Sequence, residues 1–184
     1  FIAYAGSNIQ AIKKILETKY MFEKLDPTYK HEHYGSILHV AAQHGTPEII
    51  KKIVLLGANV SKRNRIGNNT PLDLSSINKD NFFTLVELGG RSHNINNLLA
   101  EALFSKETPY KVIEYLIKNA TEINYYQGIN WPILHRWIHT IEMRARELGA
   151  NDISTEDASV LEALLEKRAD PTASNYNKES SLDF

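Results

Sequence analysis

The feature that most constrains the fold is one segment, residues 34–64, which has the pattern of two short helices joined by turns. Apolar and small residues recur there at helical spacing up to Gly45, which ends the first helix. Thr46 is a favourable N-cap, and Pro47 suits the first position of a second helix because its missing N–H would have no partner there. Gly57 supplies the left-handed conformation that ends this helix. A helix pair this short cannot bury both of its apolar faces, so the segment predicts neighbours built in the same way.

Two motifs in this segment resemble those of a known family. Residues 36–45, with the sequence SILHVAAQHG, are similar to the T-P-L-H-x-A-A-x-x-G core of the ankyrin repeat, although Ser36 and Ile37 depart from Thr-Pro. Residues 55–60, LLGANV, resemble the G-A-D-V close of the same repeat. The resemblance implies an all-α ankyrin-repeat solenoid, in which helix–turn–helix repeats are joined by short hairpin loops.

The 184 residues give room for about five such repeats in a single domain, irregular at the fourth and fifth repeats. Thr70-Pro71-Leu72 opens the third repeat, and Thr108-Pro109 repeats the N-cap and proline of the second. Both ends resemble repeats that have been cut, so we expect a fragment of a longer protein. The expected repeats cover residues 1–20 (partial), 34–63, 64–92, 93–125, 126–172 and 173–184 (partial).

The fifth repeat departs most from the family pattern. Ile133-Leu134-His135 resembles its start, but Trp137-Ile138 occupies the positions of two alanines. Two large side chains there either push the neighbouring helices apart or require a cavity that accepts them. We expect the first helix to continue to about Leu148, and one residue of Ser154-Thr155 to cap the second helix. Residues 168–171, RADP, resemble a G-A-D-P close with Arg168 in place of glycine.

Composition limits the classes of function. The chain has no cysteine, which excludes disulfides and thiolate metal sites, and no apolar run approaches the ~18 residues of a membrane span. The net charge is −1, but the charges are unevenly distributed along the chain. Residues 1–70 carry 10 Lys and Arg and 5 Asp and Glu, whereas residues 142–184 carry 5 Lys and Arg and 10 Asp and Glu. This distribution either reflects solvated outer faces or orients a partner electrostatically along the array.

Few side chains suggest chemistry, and each also has a structural interpretation. His135 and His139 lie at i and i+4 on one helical face, which is compatible with zinc, but Arg136 stands where the metalloprotease pattern has glutamate. Residues 62–65, KRNR, form too small a basic cluster for nucleic-acid binding by themselves. Residues 116–124 resemble the pattern that asparaginyl hydroxylases modify in ankyrin hairpins, a pattern that overlaps the consensus of the repeat. We therefore expect no enzyme activity, no cofactor and no metal site in this chain.

The resemblance implies a scaffold that binds a protein partner through its concave face and hairpin tips. The alternative is a targeting arm of a larger enzyme, or of a secreted bacterial effector, whose catalytic domain lies outside this chain. The degenerate repeats and long connectors are similar to those of ankyrin effectors of intracellular bacteria. We expect a monomer in the cytoplasm, or in the host cytoplasm for an effector, without nucleic-acid or membrane partners. Tyr125, Tyr126 and Trp131 are the most suggestive positions on these surfaces, because aromatic residues and arginine dominate interface hot spots. Mapped from the family resemblance onto this sequence, the expected partner-binding residues are Gln43, His44, Arg65, Ile66, Asn68, Tyr125, Tyr126, Gln127, Ile129, Trp131, Arg136 and His139.

Overall fold

The computed structural model describes residues 30–31, 35–65, 67–124, 131–149, 152–175, 177–178 and 180. Within these residues the secondary structure is almost entirely helical, which confirms the all-α prediction. The backbone forms two compact units, Phe1–His93 and Asn94–Phe184, and each is described by itself.

The described part of the first unit contains a short strand pair, three α-helices and one 3-10 turn. Strand β1 (Lys30–His31) pairs antiparallel with β2 (Gly35–Ser36). The helical elements are α1 (Ile37–His44), α2 (Pro47–Leu55), the 3-10 turn Asp73–Ser75, and α3 (Lys79–Glu87). Helix α1 packs against α2, the 3-10 turn and α3, and α2 packs against α3.

Small residues on α1 allow this close packing. Ala41 and Ala42 have no exposed surface, and the side chains of Leu38 and Ile50 are also fully buried. An alanine presents only a methyl group to the facing helix, so the two backbones approach closely and each larger neighbour fills the remaining space. The second helix begins as predicted, with Thr46 at the N-cap and proline at its first position.

The opening of the third repeat is shorter than the family pattern implies. Ser36 precedes Thr46, the N-cap of α2, by ten residues, whereas Thr70 precedes Asn78, the N-cap of α3, by only eight. With two residues fewer, this stretch forms a single 3-10 turn where the second repeat has a full α-helix.

Asn81 of α3 lies against the end of α1. Its side chain is fully buried, and its Nδ2 donates to the carbonyl of Ala42 at 3.1 Å and to the carbonyl of Gly45 at 3.0 Å. The last carbonyls of a helix have no partner within the helix. Asn81 therefore supplies the hydrogen bonds that end α1, from an element about forty residues further along the chain.

The described part of the second unit contains four α-helices. They are α4 (Ile95–Phe104), α5 (Tyr110–Asn119), α6 (Ile133–Leu148) and α7 (Thr155–Glu166). Helix α4 packs against α5 and α6, while α7 packs against α5 and α6. First helices thus lie beside first helices and second helices beside second helices, which is the arrangement of stacked helix pairs.

Most of these helix ends agree with the capping residues in the sequence, and one helix start does not. Helix α6 continues to Leu148 and ends at Gly149, whose φ of 61° is left-handed, and Ser154 caps α7 by accepting from the Asp157 N–H. The prediction that Thr108-Pro109 repeats the start of α2 was wrong in detail. Pro109 itself is the N-cap and the helix begins one residue later, because the Ile113 N–H donates to the Pro109 carbonyl.

Trp137 of α6 is buried against α5 and α7. The side chain is fully buried, and its indole Nε1 donates to the Asp157 carbonyl of α7 at 3.1 Å. The Arg144 guanidinium lies 5.1 Å from the Trp137 ring and 4.9 Å from the Tyr110 ring. Arg144 also forms a 2.8 Å ion pair with the Asp157 carboxylate, which accepts the Tyr110 hydroxyl as well. Trp137 is thus accommodated within the core, whereas Ile138, the second large residue at the alanine positions, is half-buried.

Three second helices end with the same backbone geometry. After each helix, a residue with positive φ donates its N–H to the carbonyl three positions back, and the following residue donates to the carbonyl five positions back. Gly57 ends α2 with a φ of 98°, and Gly89 ends α3 with a φ of 82°. Arg168 ends α7 with a φ of 64°, so a residue with a Cβ occupies the position of these glycines.

Candidate functional site

In the second repeat, a buried histidine ties the start of a first helix to the next loop. The Ser36 N–H donates to His39 Nδ1 at 3.1 Å, so the ring proton must lie on Nε2, which donates to the Asn69 carbonyl at 3.1 Å. Burial lowers the pKa of His39, and the neutral ring is the form that makes both bonds. This is the bracing role that the family resemblance implies for the histidine.

In the next two repeats, other polar side chains also join a first helical segment to a loop by hydrogen bonds. Asp73 Oδ2 accepts the Thr70 N–H at 2.7 Å and the His93 N–H at 3.3 Å. In the second unit, Asn96 Oδ1 accepts the N–H groups of Thr121 and Glu122 at 3.0 and 3.2 Å. These bonds hold each loop against its helix, so the side chains that the loops carry stand on a fixed backbone.

The loop between α2 and the 3-10 turn forms a hairpin, here called the finger, whose described residues are 59–65 and 67–69. The Asn64 N–H donates to the Asn69 carbonyl at 2.9 Å, and the Asn69 N–H donates back to the Asn64 side chain at 2.9 Å. Gly67 and Asn68 turn the chain with φ values of 73° and 57°. Glycine and asparagine are the residues that tolerate this conformation most readily.

The finger places several expected partner-binding residues at the surface. Arg65 and Asn68 are exposed, and Asn68 Nδ2 donates to His93 Nε2 at 2.8 Å. Gln43 is exposed and His44 half-buried in the last turn of α1. Ile66, Tyr125, Tyr126, Gln127 and Ile129 lie outside the described residues.

In the second unit, two expected residues meet a third aromatic side chain that the sequence did not single out. We call Phe104, Trp131 and His139 the aromatic patch. The Phe104 and His139 rings are stacked with centroids 5.5 Å apart, and Trp131 meets both rings edge-on, at 6.2 and 5.3 Å. Phe104 is 49% exposed, and the other two side chains are half-buried.

A signal for Phe104 was present in the sequence. On helix α4 it follows Asn97 and Glu101 at i+7 and i+3, so an aromatic side chain lies on the polar face of an amphipathic helix. Such a residue is not needed in the core. The contact with Trp131 and His139, however, depends on the packing of α4 against α6 and has no local signature.

Arg136 does not lie on an exposed strip, so its expected position was wrong. The residue is 8% exposed, its Nε donates to the Trp131 carbonyl at 3.2 Å, and one Nη donates to the Ala100 carbonyl at 3.4 Å. Burial lowers the pKa of Arg136, and the nearby negative charge of Glu101 partly offsets that effect. The guanidinium group thus links α6 to the Trp131 backbone and to α4 by hydrogen bonds, and these bonds stabilise the position of the aromatic patch.

The histidine pair of α6 separates into two environments. His135 is 2% exposed and its ring meets Trp131 edge-on at 6.4 Å, whereas His139 belongs to the aromatic patch. Among the described residues, no group of three or more His, Asp or Glu side chains could hold a metal ion. In the same part of the chain, no helix is both long and apolar enough to cross a bilayer.

Stacked helix pairs, each tied by a polar side chain to a hairpin loop, define a helical-repeat protein. The ankyrin-repeat family model matches residues 36–65, which contain α1, α2 and most of the finger. Residues 36–65 are thus similar to an ankyrin repeat, and ankyrin repeats are in general protein-interaction modules. No curated protein matches the chain significantly.

Proposed function

We propose that the chain binds a protein partner and that the aromatic patch is the centre of the interface on the second unit. The observation that carries the proposal is the contact of three aromatic rings at the protein surface, with about half of Phe104 accessible to solvent. Contiguous apolar patches on a protein surface mark interaction sites, and large aromatic side chains are enriched among the residues that dominate binding energy.

The patch is organised before a partner arrives. Phe104 and His139 lie on the helices α4 and α6, and Trp131 is held through its carbonyl by Arg136. Because each ring rests against the other two, little side-chain entropy would be lost on binding. Asn97 and Glu101, joined by a 2.8 Å hydrogen bond, provide a polar rim beside Phe104.

The first unit contributes to the same proposal through its own surface. Gln43, His44, Arg65 and Asn68 are expected partner-binding residues, and all four have solvent-accessible side chains. Their support comes from position in the repeat, because the last turn of the first helix and the tip of the finger are where ankyrin repeats usually contact partners.

The test is capture of proteins from cell extract on the immobilised chain, followed by affinity measurement with each retained protein. Phe104→Ala/Trp131→Ala should weaken the affinity at least ~30-fold, about 2 kcal/mol. Leu55→Ala/Leu56→Ala is the matched control, since it removes two large apolar side chains, 87% and 44% exposed, from the first unit. The control should bind within ~2-fold of the unmodified chain. Equal affinity of both variants and the unmodified chain would refute the proposal, provided that circular dichroism shows both folded.

A further inference from the structure

Four positively charged side chains and one histidine lie on and beside the finger of the first unit. We call Lys62, Arg63, Arg65, Arg91 and His93 the finger patch. The three arginines are exposed, and within the described part of the chain none of them takes part in an ion pair. Arg91 lies two residues before His93, on the loop that the finger contacts.

The carboxylate that reaches this region does not neutralise the arginines. Asp73 Oδ2 accepts hydrogen bonds from the Thr70 N–H, the Thr70 hydroxyl and the His93 N–H, at 2.7, 2.9 and 3.3 Å. The Asp73 carboxylate is thus directed toward backbone groups, where it fixes the position of His93. The positive charges of Arg63, Arg65 and Arg91 remain available to a partner.

Hydrogen bonds hold the finger against the loop that carries Arg91 and His93. His93 Nε2 accepts from Asn68 Nδ2 at 2.8 Å and from Arg63 Nη1 at 3.4 Å. This arrangement requires the proton of the neutral imidazole to lie on Nδ1. One N–H of Arg63 is used in this contact, and because the residue is exposed its other donors are open to a partner, with a reduced loss of entropy on binding.

We infer that the finger patch binds an acidic segment of the protein partner, an inference that rests on the proposed function and adds the chemistry of the partner. Guanidinium groups bind carboxylates with two parallel N–H···O bonds, and three exposed arginines on the finger and on the loop that it contacts suit a run of Asp or Glu side chains. Nucleic acid fits the finger patch less well. The finger and residues 91–93 contain no Phe, Tyr or Trp, so His93 is the only ring in these segments on which a base could stack, and the number of positive charges is small.

The probe that tests this inference is a fluorescein-labelled polyglutamate peptide, followed by fluorescence anisotropy at two salt concentrations. Arg63→Ala/Arg65→Ala/Arg91→Ala should weaken binding of the peptide at least ~10-fold. Lys51→Ala/Lys52→Ala/Lys79→Ala removes the same formal charge from exposed positions on α2 and α3, and should change the affinity less than ~2-fold. Equal loss in the two triple variants would overturn the inference, because it would show attraction to net charge alone. Tighter binding of a labelled oligodeoxythymidylate than of the peptide would overturn it in favour of nucleic acid.

Affinities of the variants for the captured protein distinguish failure of this inference from failure of the proposed function. If Phe104→Ala/Trp131→Ala loses that protein while the finger triple variant binds it within ~2-fold, the proposed function stands and the acidic partner is refuted. Loss in the finger triple variant, with retention in the lysine triple variant, supports the inference. If all variants retain the protein equally, both proposals fail.

Discussion

Arg168 holds a left-handed backbone conformation at the position where α2 and α3 are followed by glycines, and this makes Arg168→Gly an informative substitution. The Arg168 side chain is exposed, so its removal leaves no cavity. The backbone hydrogen bonds at this position, including the 3.0 Å bond from Asn124 Nδ2 to the Arg168 carbonyl, do not depend on the side chain. The substitution therefore changes the backbone energy and little else.

Two opposing contributions determine how much Arg168→Gly changes the free energy of unfolding. A residue with a Cβ pays about 1–2 kcal/mol in the left-handed region, and glycine avoids this cost. Glycine also gives the unfolded chain more conformational freedom, which costs roughly 0.5–1 kcal/mol. We expect a net gain of about 0.5–1 kcal/mol in the free energy of unfolding, or roughly 1–4 °C in the midpoint of thermal unfolding.

The assay is urea and thermal unfolding followed by circular dichroism, with Gly57→Ala as the reciprocal control. A Cβ at Gly57 would meet no heavy atom within 4 Å, so any loss there arises from its φ of 98° alone. We expect Gly57→Ala to lose about 1 kcal/mol. The reasoning is refuted if Gly57→Ala loses stability while Arg168→Gly is neutral or destabilising.

Two further substitutions test the core and the bracing histidine. Trp137→Ala should lower the free energy of unfolding by about 3–5 kcal/mol in a urea titration. The substitution empties a buried site and leaves the Asp157 carbonyl without its indole donor. A loss below ~1 kcal/mol would contradict the packing described. His39 predicts a pH dependence: its folded-state pKa lies below the ordinary value of 6.5, so the unfolded state binds more protons as the pH falls through that range. Stability should therefore decrease from pH 7 to pH 5, and His39→Asn, measured by urea titration at each pH, should show a smaller decrease; an unchanged pH dependence would exclude His39 as its source.

Helix ends could be predicted where a single residue determines the backbone. Gly57 and Gly149 stop helices because of their own conformational freedom, and Ser154 starts α7 with its own hydroxyl. The shortening of the third repeat follows from counting residues between two caps. The start of α5 was predicted one residue early, because a Thr-Pro pair fits two registers at a helix start and the choice depends on packing.

The candidate site was less accessible to sequence reasoning because its contacts join distant residues. Arg136 is charged, and its side chain was expected in solvent; only the approach of the Ala100 and Trp131 carbonyls makes its burial favourable. Phe104 and His93 likewise gain their roles from neighbours about thirty positions away. A periodic pattern identifies the face of a helix, but it does not identify which side chain of the next repeat will lie against that face.

The amide of Asn81, which completes the end of α1 from the following repeat, bears on the use of this sequence in protein engineering. Residues 36–65 match the family well, yet they are not an interchangeable cassette. A graft of that repeat alone into another array would leave the terminal carbonyls of α1 exposed to a neighbour without the required donor. A successful transplant would have to carry the stretch around residues 78–82 with it.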